Sequence, residues 1–114
     1  MLNTKKILLD KNGRVKVTNL QHSCVVGCKK VNSDVYYATM QAPEILIGPY
    51  YDCKSDVWSL GIMLYEMCAL EVPFDSHSDY AIGCMILDDE HEPVNHYIHT
   101  QEIKTMVDLL LTKD

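Results

Sequence analysis

Cys24 and Cys28, with His22 just before them, are the first side chains in this sequence that could do chemistry as a group. Thiolate and imidazole are zinc ligands, but a structural zinc site takes four, and the C-x-x-x-C spacing has no second pair to complete it. Cys53, Cys68 and Cys84 are dispersed, and His77, His91, His96 and His99 stand in polar segments without an H-E-x-x-H pattern. No metal site is expected. A metal-dependent interaction domain built on Cys24, Cys28 and the histidines is the competing reading, and it would carry stoichiometric zinc. The five cysteines make an odd number with no signal peptide ahead of them, which reads as reduced thiols in a cytoplasmic setting. There is no G-x-G-x-x-G loop to cradle a phosphate.

Residues that do chemistry need elements to hold them. A chain of 114 residues with 47% apolar and 23% charged side chains has the balance of one globular domain. Its net charge of -6 argues against nucleic acid, since Lys5-Lys6 and Lys29-Lys30 are too short to form a basic footprint. The organising stretch is Ser55 to Leu70, SDVWSLGIMLYEMCAL, where from Val57 onward only Ser59, Gly61 and Glu66 are not apolar. This pattern predicts a helix buried on nearly all sides, with Ser55 as N-cap, Asp56 at the positive end of the dipole and Pro73 beyond its end. A membrane span needs about 20 apolar residues, so no membrane crossing is expected. Cys68, inside the run, reads as a small core residue.

Before that helix, Ile7-Leu8-Leu9 and Val15-Lys16-Val17 flank Asp10-Lys11-Asn12-Gly13, an Asn-Gly hairpin signal spanning 7-17. Residues 18 to 41 show neither strand nor helix period and are expected to be extended and irregular. Ala42-Pro43-Glu44 opens a short helix through Ile47, ended by Gly48-Pro49. Two later helices are predicted over about 79-87 and 101-111, the second from the spacing of Ile103, Met106, Val107 and Leu110. The expected fold is mainly α with a small N-terminal β-hairpin.

The hairpin, then Ala42-Pro43-Glu44, then Ser55-Asp56-Val57-Trp58-Ser59-Leu60-Gly61 together resemble the C-terminal lobe of a eukaryotic protein kinase. Leu64-Tyr65-Glu66-Met67-Cys68-Ala69-Leu70 and Pro73-Phe74 are most similar to the NIMA-related serine/threonine branch. The resemblance implies one partial kinase domain over 1-114, with an activation segment at 18-44 and helix F at 55-70. It also implies that Asp56 takes hydrogen bonds from the catalytic-loop backbone, against the plainer reading of a first-turn helix acid. Trp58 and Gly61 become packing residues, large against small. Glu44 would pair with an arginine further along, and the sole arginine here is Arg14 in the hairpin, which leaves Glu44 solvated or rearranged.

A kinase needs a glycine-rich loop, a strand lysine, a catalytic aspartate, an asparagine and a D-F-G aspartate for magnesium. By the resemblance, the chain starts after the glycine-rich loop and the V-A-I-K strand. Met1 falls at the catalytic aspartate, Asn3 at the nearby lysine, Lys6 at the magnesium-binding asparagine and Asn19 at the D-F-G aspartate, with Gln21 at its glycine. Tyr37 stands where a threonine is usual before A-P-E, and Ser33 where an activation-loop phosphosite could lie. The expectation is a catalytically inactive, pseudokinase-like module with no bound cofactor, acting through a protein partner or self-association. Its plainest version is a decayed gene fragment without a selected role. The alternative is a piece of an active serine/threonine kinase using ATP and magnesium. The missing N-lobe would leave the hairpin side and part of helix F uncovered. The NIMA-related likeness further implies a cytoplasmic, cytoskeleton-associated location.

Overall fold

A computed structural model describes residues 2–20, 23, 38–48, 52–94 and 100–113. Met1, Gln21, His22, Cys24, Cys28, Lys29, Lys30, Ser33, Tyr37, Pro49, His96 and His99 lie outside the described residues. The elements run from a 3-10 turn at Thr4–Lys6 through strands β1 (Ile7–Leu9) and β2 (Val15–Val17) to a further 3-10 turn at Ala38–Met40. Among the described residues four helices follow: α1 (Pro43–Ile47), α2 (Lys54–Ala69), α3 (Asp79–Asp88) and α4 (Gln101–Leu110). The chain is mainly helical with one antiparallel hairpin, as its patterning predicts.

The hairpin closes because its loop residues satisfy their own backbone. Gly13 N–H donates to Asp10 O at 2.9 Å, with Gly13 at φ 76, and Asp10 Oδ1 accepts from the N–H groups of Asn12 and Arg14 at 2.8 and 2.9 Å. Asp10 is thus an Asx-type anchor, and the glycine supplies the left-handed residue that such a loop needs. Strand register pairs Ile7 with Val17 and Leu9 with Val15.

The core is formed by α2 with its neighbours. Trp58, Ile62, Tyr65, Phe74, Ile82, Ile86, Val94, Val107 and Leu111 are buried in one cluster with Met40 and Ala42. The Trp58 and Phe74 rings stack 6.3 Å apart at 7°. Gly61 is where α4 crosses: a Cβ there would sit 2.8 Å from Leu110 Cβ and 2.8 Å from Leu111 Cδ2. Only a residue without a side chain lets the helices approach so closely.

Three expectations are corrected. The helix starts one residue earlier than Ser55 and its N-cap is Cys53, with Asp52 Oδ1 accepting from Lys54 N–H at 2.6 Å, while the Ser55 hydroxyl is directed to Glu44. Its other end agrees with the expected boundary at Leu70, short of Pro73: Leu70 turns into the left-handed region at φ 62 and its N–H closes on Glu66 O. The helix is not buried all round: Val57, Leu60 and Met67 are exposed, because α4, Phe74 and the 38–42 segment cover only one side. Finally, residues 18 to 41 are not wholly irregular, since Ala38–Met40 forms a 3-10 turn docked on α2. Its anchor is Ser59, whose Oγ lies 3.2 Å from Met40 O and 3.0 Å from Ser55 O.

Candidate functional site

The two ends of the hairpin bring together residues distant in sequence. Thr18 N–H donates to Lys6 O at 2.8 Å, and Thr18 Oγ to the same carbonyl at 3.1 Å. Asn19, next along, therefore stands beside the turn that carries Lys6. Asn19 is exposed and left-handed at φ 58, a conformation that asparagine tolerates better than most residues. Asn3 precedes the same turn, 5% exposed, with its buried Oδ1 finding no hydrogen-bond partner among the described residues. This corner presents an amide and an ammonium-bearing residue, with no carboxylate from position 3, 6 or 19. Among the described residues no group of three or more His, Cys, Asp or Glu side chains could hold a metal ion.

A second cluster surrounds the start of α2. Ala42 is fully buried, Pro43 supplies the first turn of α1, and Glu44 Oε1 accepts the Ser55 hydroxyl at 2.5 Å. Glu44 is thus rearranged onto a neighbouring hydroxyl. An open groove of about 550 Å³ runs between α1, α2 and α4, with Glu44, Asp52, Lys54, Trp58 and Leu109 on its walls. The Trp58 indole N–H is buried without an acceptor among the described residues. Asp56 lies exposed in the first turn of α2. Burying Gly61 and Trp58 on one helix face is what fixes the first turn, and with it Ser55, against Glu44.

Sequence reasoning missed a third cluster. His91 Nδ1 is 3.0 Å from Glu92 O, its Nε2 is 3.4 Å from Asp108 Oδ1, and its ring meets Tyr65 edge-on at 5.7 Å. Burial, followed by the nearby charges of Glu71 and Glu92, holds the Tyr65 hydroxyl above its usual pKa. At the start of α4, Glu102 is held below the usual carboxylate range, first by its own backbone N–H and then by the Thr100 hydroxyl. These contacts join segments that no local pattern links. Only the isolated His91 among acids hinted at them.

The hydroxyl that does sit beside a carboxylate, Ser55 on Glu44, is buried, and Cys53 is a free, exposed thiol. Among the described residues no helix is long and apolar enough to cross a membrane.

Known proteins place this scaffold. Residues 2–114 match the protein kinase domain model. The chain is 36% identical over 93 residues to the dual specificity protein kinase shkD of Dictyostelium discoideum, an alignment covering 80% of this chain and 12% of that protein. It is 35% identical over 79 residues to the mouse serine/threonine-protein kinase Nek3, covering 68% of this chain and 16% of Nek3. Against human Nek10 the identity is 32% over 85 residues, 75% of this chain and 7% of that protein. The chain therefore spans a small fraction of the length of these relatives. With the domain model matched over nearly its whole length, the chain belongs to the protein kinase domain family, with similarity to the Nek kinases.

Proposed function

We propose that this chain is a pseudokinase-like module that does not transfer phosphate and acts through contacts with proteins. One observation carries the reading: the hairpin's ends join Lys6 to Asn19 through Thr18 in one corner, and these are the positions at which the kinase resemblance implies magnesium ligands. Magnesium is a hard dication that is held by carboxylate and phosphate oxygens. The Asn19 amide offers a neutral oxygen in place of a charged one. Lys6 adds a positive charge, and two like unit charges about 4 Å apart cost about 4 kcal/mol at an effective dielectric near 20. The residues present do not fit magnesium-bound ATP. Positioning and metal electrostatics supply most of the rate in phosphoryl transfer, so losing both ligand positions leaves little for other residues to promote.

The roles of Met1, Asn3, Lys6 and Asn19 as altered catalytic positions, and of Ala42, Pro43, Glu44, Asp56, Trp58 and Gly61 as structural ones, are part of this proposal. So are the absence of a cofactor, the protein partner, the absence of nucleic-acid and membrane partners, and a cytoplasmic, cytoskeleton-associated location. A second reading, an active serine/threonine kinase of which this chain is a segment, is favoured by the kinase names of its relatives.

A thermal-shift titration with ATP, with and without magnesium, tests the choice. The expected result is a melting temperature that does not respond to magnesium-ATP. A saturable, magnesium-dependent rise that disappears in Asn19→Ala would show that magnesium-ATP is held at this corner and would remove the observation on which the inactive reading rests.

A further inference from the structure

Three parts of the chain meet at His91. Its Nδ1 lies 3.0 Å from Glu92 O, its Nε2 lies 3.4 Å from Asp108 Oδ1 on α4, and its ring stands edge-on to Tyr65 of α2 at 5.7 Å. The side chain is 13% exposed. A peptide carbonyl and an ionised carboxylate only accept hydrogen bonds. A neutral imidazole has one ring N–H, so it can serve one of these oxygens and must turn a lone pair toward the other. The imidazolium has two and serves both. The arrangement around His91 is therefore that of the protonated ring.

The surroundings suit that charge. Asp108 faces the ring from α4, and Tyr65 faces it from α2, held neutral by its burial and then by Glu71 and Glu92. Asp89 and Glu90 stand exposed on the segment that carries His91. Of the lysines on the neighbouring elements, Lys104 stands one turn before Asp108, and Lys113 donates to Asp89 O while lying 5.8 Å from the centre of the Phe74 ring. Val94 on the same segment, Val107 on α4 and Leu111 at its end are all buried in the core that these contacts span.

We infer that His91 is a proton-operated latch: with both ring nitrogens protonated it ties the 89–94 segment to α4, and with one proton gone it lets go of Glu92 O or of Asp108. Histidine is the side chain whose charge ordinarily changes between about pH 5 and 8. The tie is thus complete on the acid side and lost as pH rises, while the Lys113 contact with Asp89 O involves no histidine. The latch works whether or not the chain transfers phosphate.

Hydrogen exchange of the whole chain at about pH 5.5 and about pH 8, expressed as protection relative to the unstructured peptide rate, tests this. Amides in 89–94 and in the last turn of α4 are expected to be about two- to fivefold less protected at the higher pH, the scale of one partly exposed ion pair. Asp108→Asn separates a latch from a merely structural contact. Its amide can donate to Nε2, so a neutral ring keeps both partners and the pH step should vanish, with the fold intact because Asp108 is 65% exposed. His91→Gln, which cannot titrate, should show no step either. Wild-type protection that is the same at both pH values, or a step that survives in either variant, would overturn the latch.

Discussion

The hairpin and the helical body obey different rules within one chain. In the body, Trp58, Ile62, Phe74, Ile86 and Val107 are each 3% exposed or less, and a glycine is needed where α4 meets α2. In the hairpin, no residue of either strand is buried. Hydrogen bonds and a well-chosen loop hold its shape, whereas packing holds the body. Geometry can therefore be specified in a region that contributes little to stability, and the corner joining Lys6 to Asn19 lies in that region. Packing constrains the body more tightly than the corner that holds Lys6 and Asn19.

Substitutions should break this contrast unequally. The largest effect belongs to Trp58→Ala, which removes the ring stacked on Phe74 and should cost about 3–5 kcal/mol in urea unfolding. A midpoint shift worth under 1 kcal/mol would mean that the body is not held by this stack. Next comes Gly61→Ala. Its new methyl would meet Leu110 and Leu111 inside normal contact distance, and overpacking of this kind costs about 1–3 kcal/mol. Retained wild-type stability there would show that α4 can slide.

Alkaline solution gives a smaller, conditional loss. Tyr65 has a raised folded pKa, so its neutral form contributes stability that is complete below the ordinary value of 10.0 and is lost as pH rises through the folded value. Tyr65→Phe should flatten the stability profile above that pH in a denaturant titration, and an unchanged slope would reject the assignment. In the opposite direction, Leu70→Gly should raise stability by about 1 kcal/mol, because leucine at φ 62 bears a cost that glycine does not. Smallest of all, Leu9→Thr on the hairpin should move the melting transition by less than about 0.5 kcal/mol, as substitutions on exposed surface do. A loss as large as that of Gly61→Ala would erase the distinction between the two regions.

The parts legible in the sequence are those set by local pattern. Pro43 and Gly48 bracket α1, the three-and-four spacing of Ile103 to Leu110 marks α4, and the Asn-Gly loop marks the hairpin. What stayed hidden depended on partners remote in the chain. Ser55 has the right chemistry for an N-cap, yet Glu44 on α1 captures its hydroxyl, and Asp52 serves the first turn instead. Apolar composition alone could not show which side of α2 would stay bare, since a run of Val, Leu and Met reads the same whether or not a neighbour covers it. The left-handed Leu70 was equally invisible, because glycine is the usual signal there. The Tyr65, His91 and Asp108 contacts needed three elements to be in place at once.

The bare backbone at Gly61 also bears on how the protein is made. On the ribosome α2 emerges first, and its notch for α4 stays open until α3 and the 89–94 segment have followed, a wait on the order of seconds at about 5–20 residues per second. During that interval the nascent chain displays an apolar cleft of defined shape, a natural foothold for a chaperone. Arrival of Leu110 and Leu111 ends the exposure.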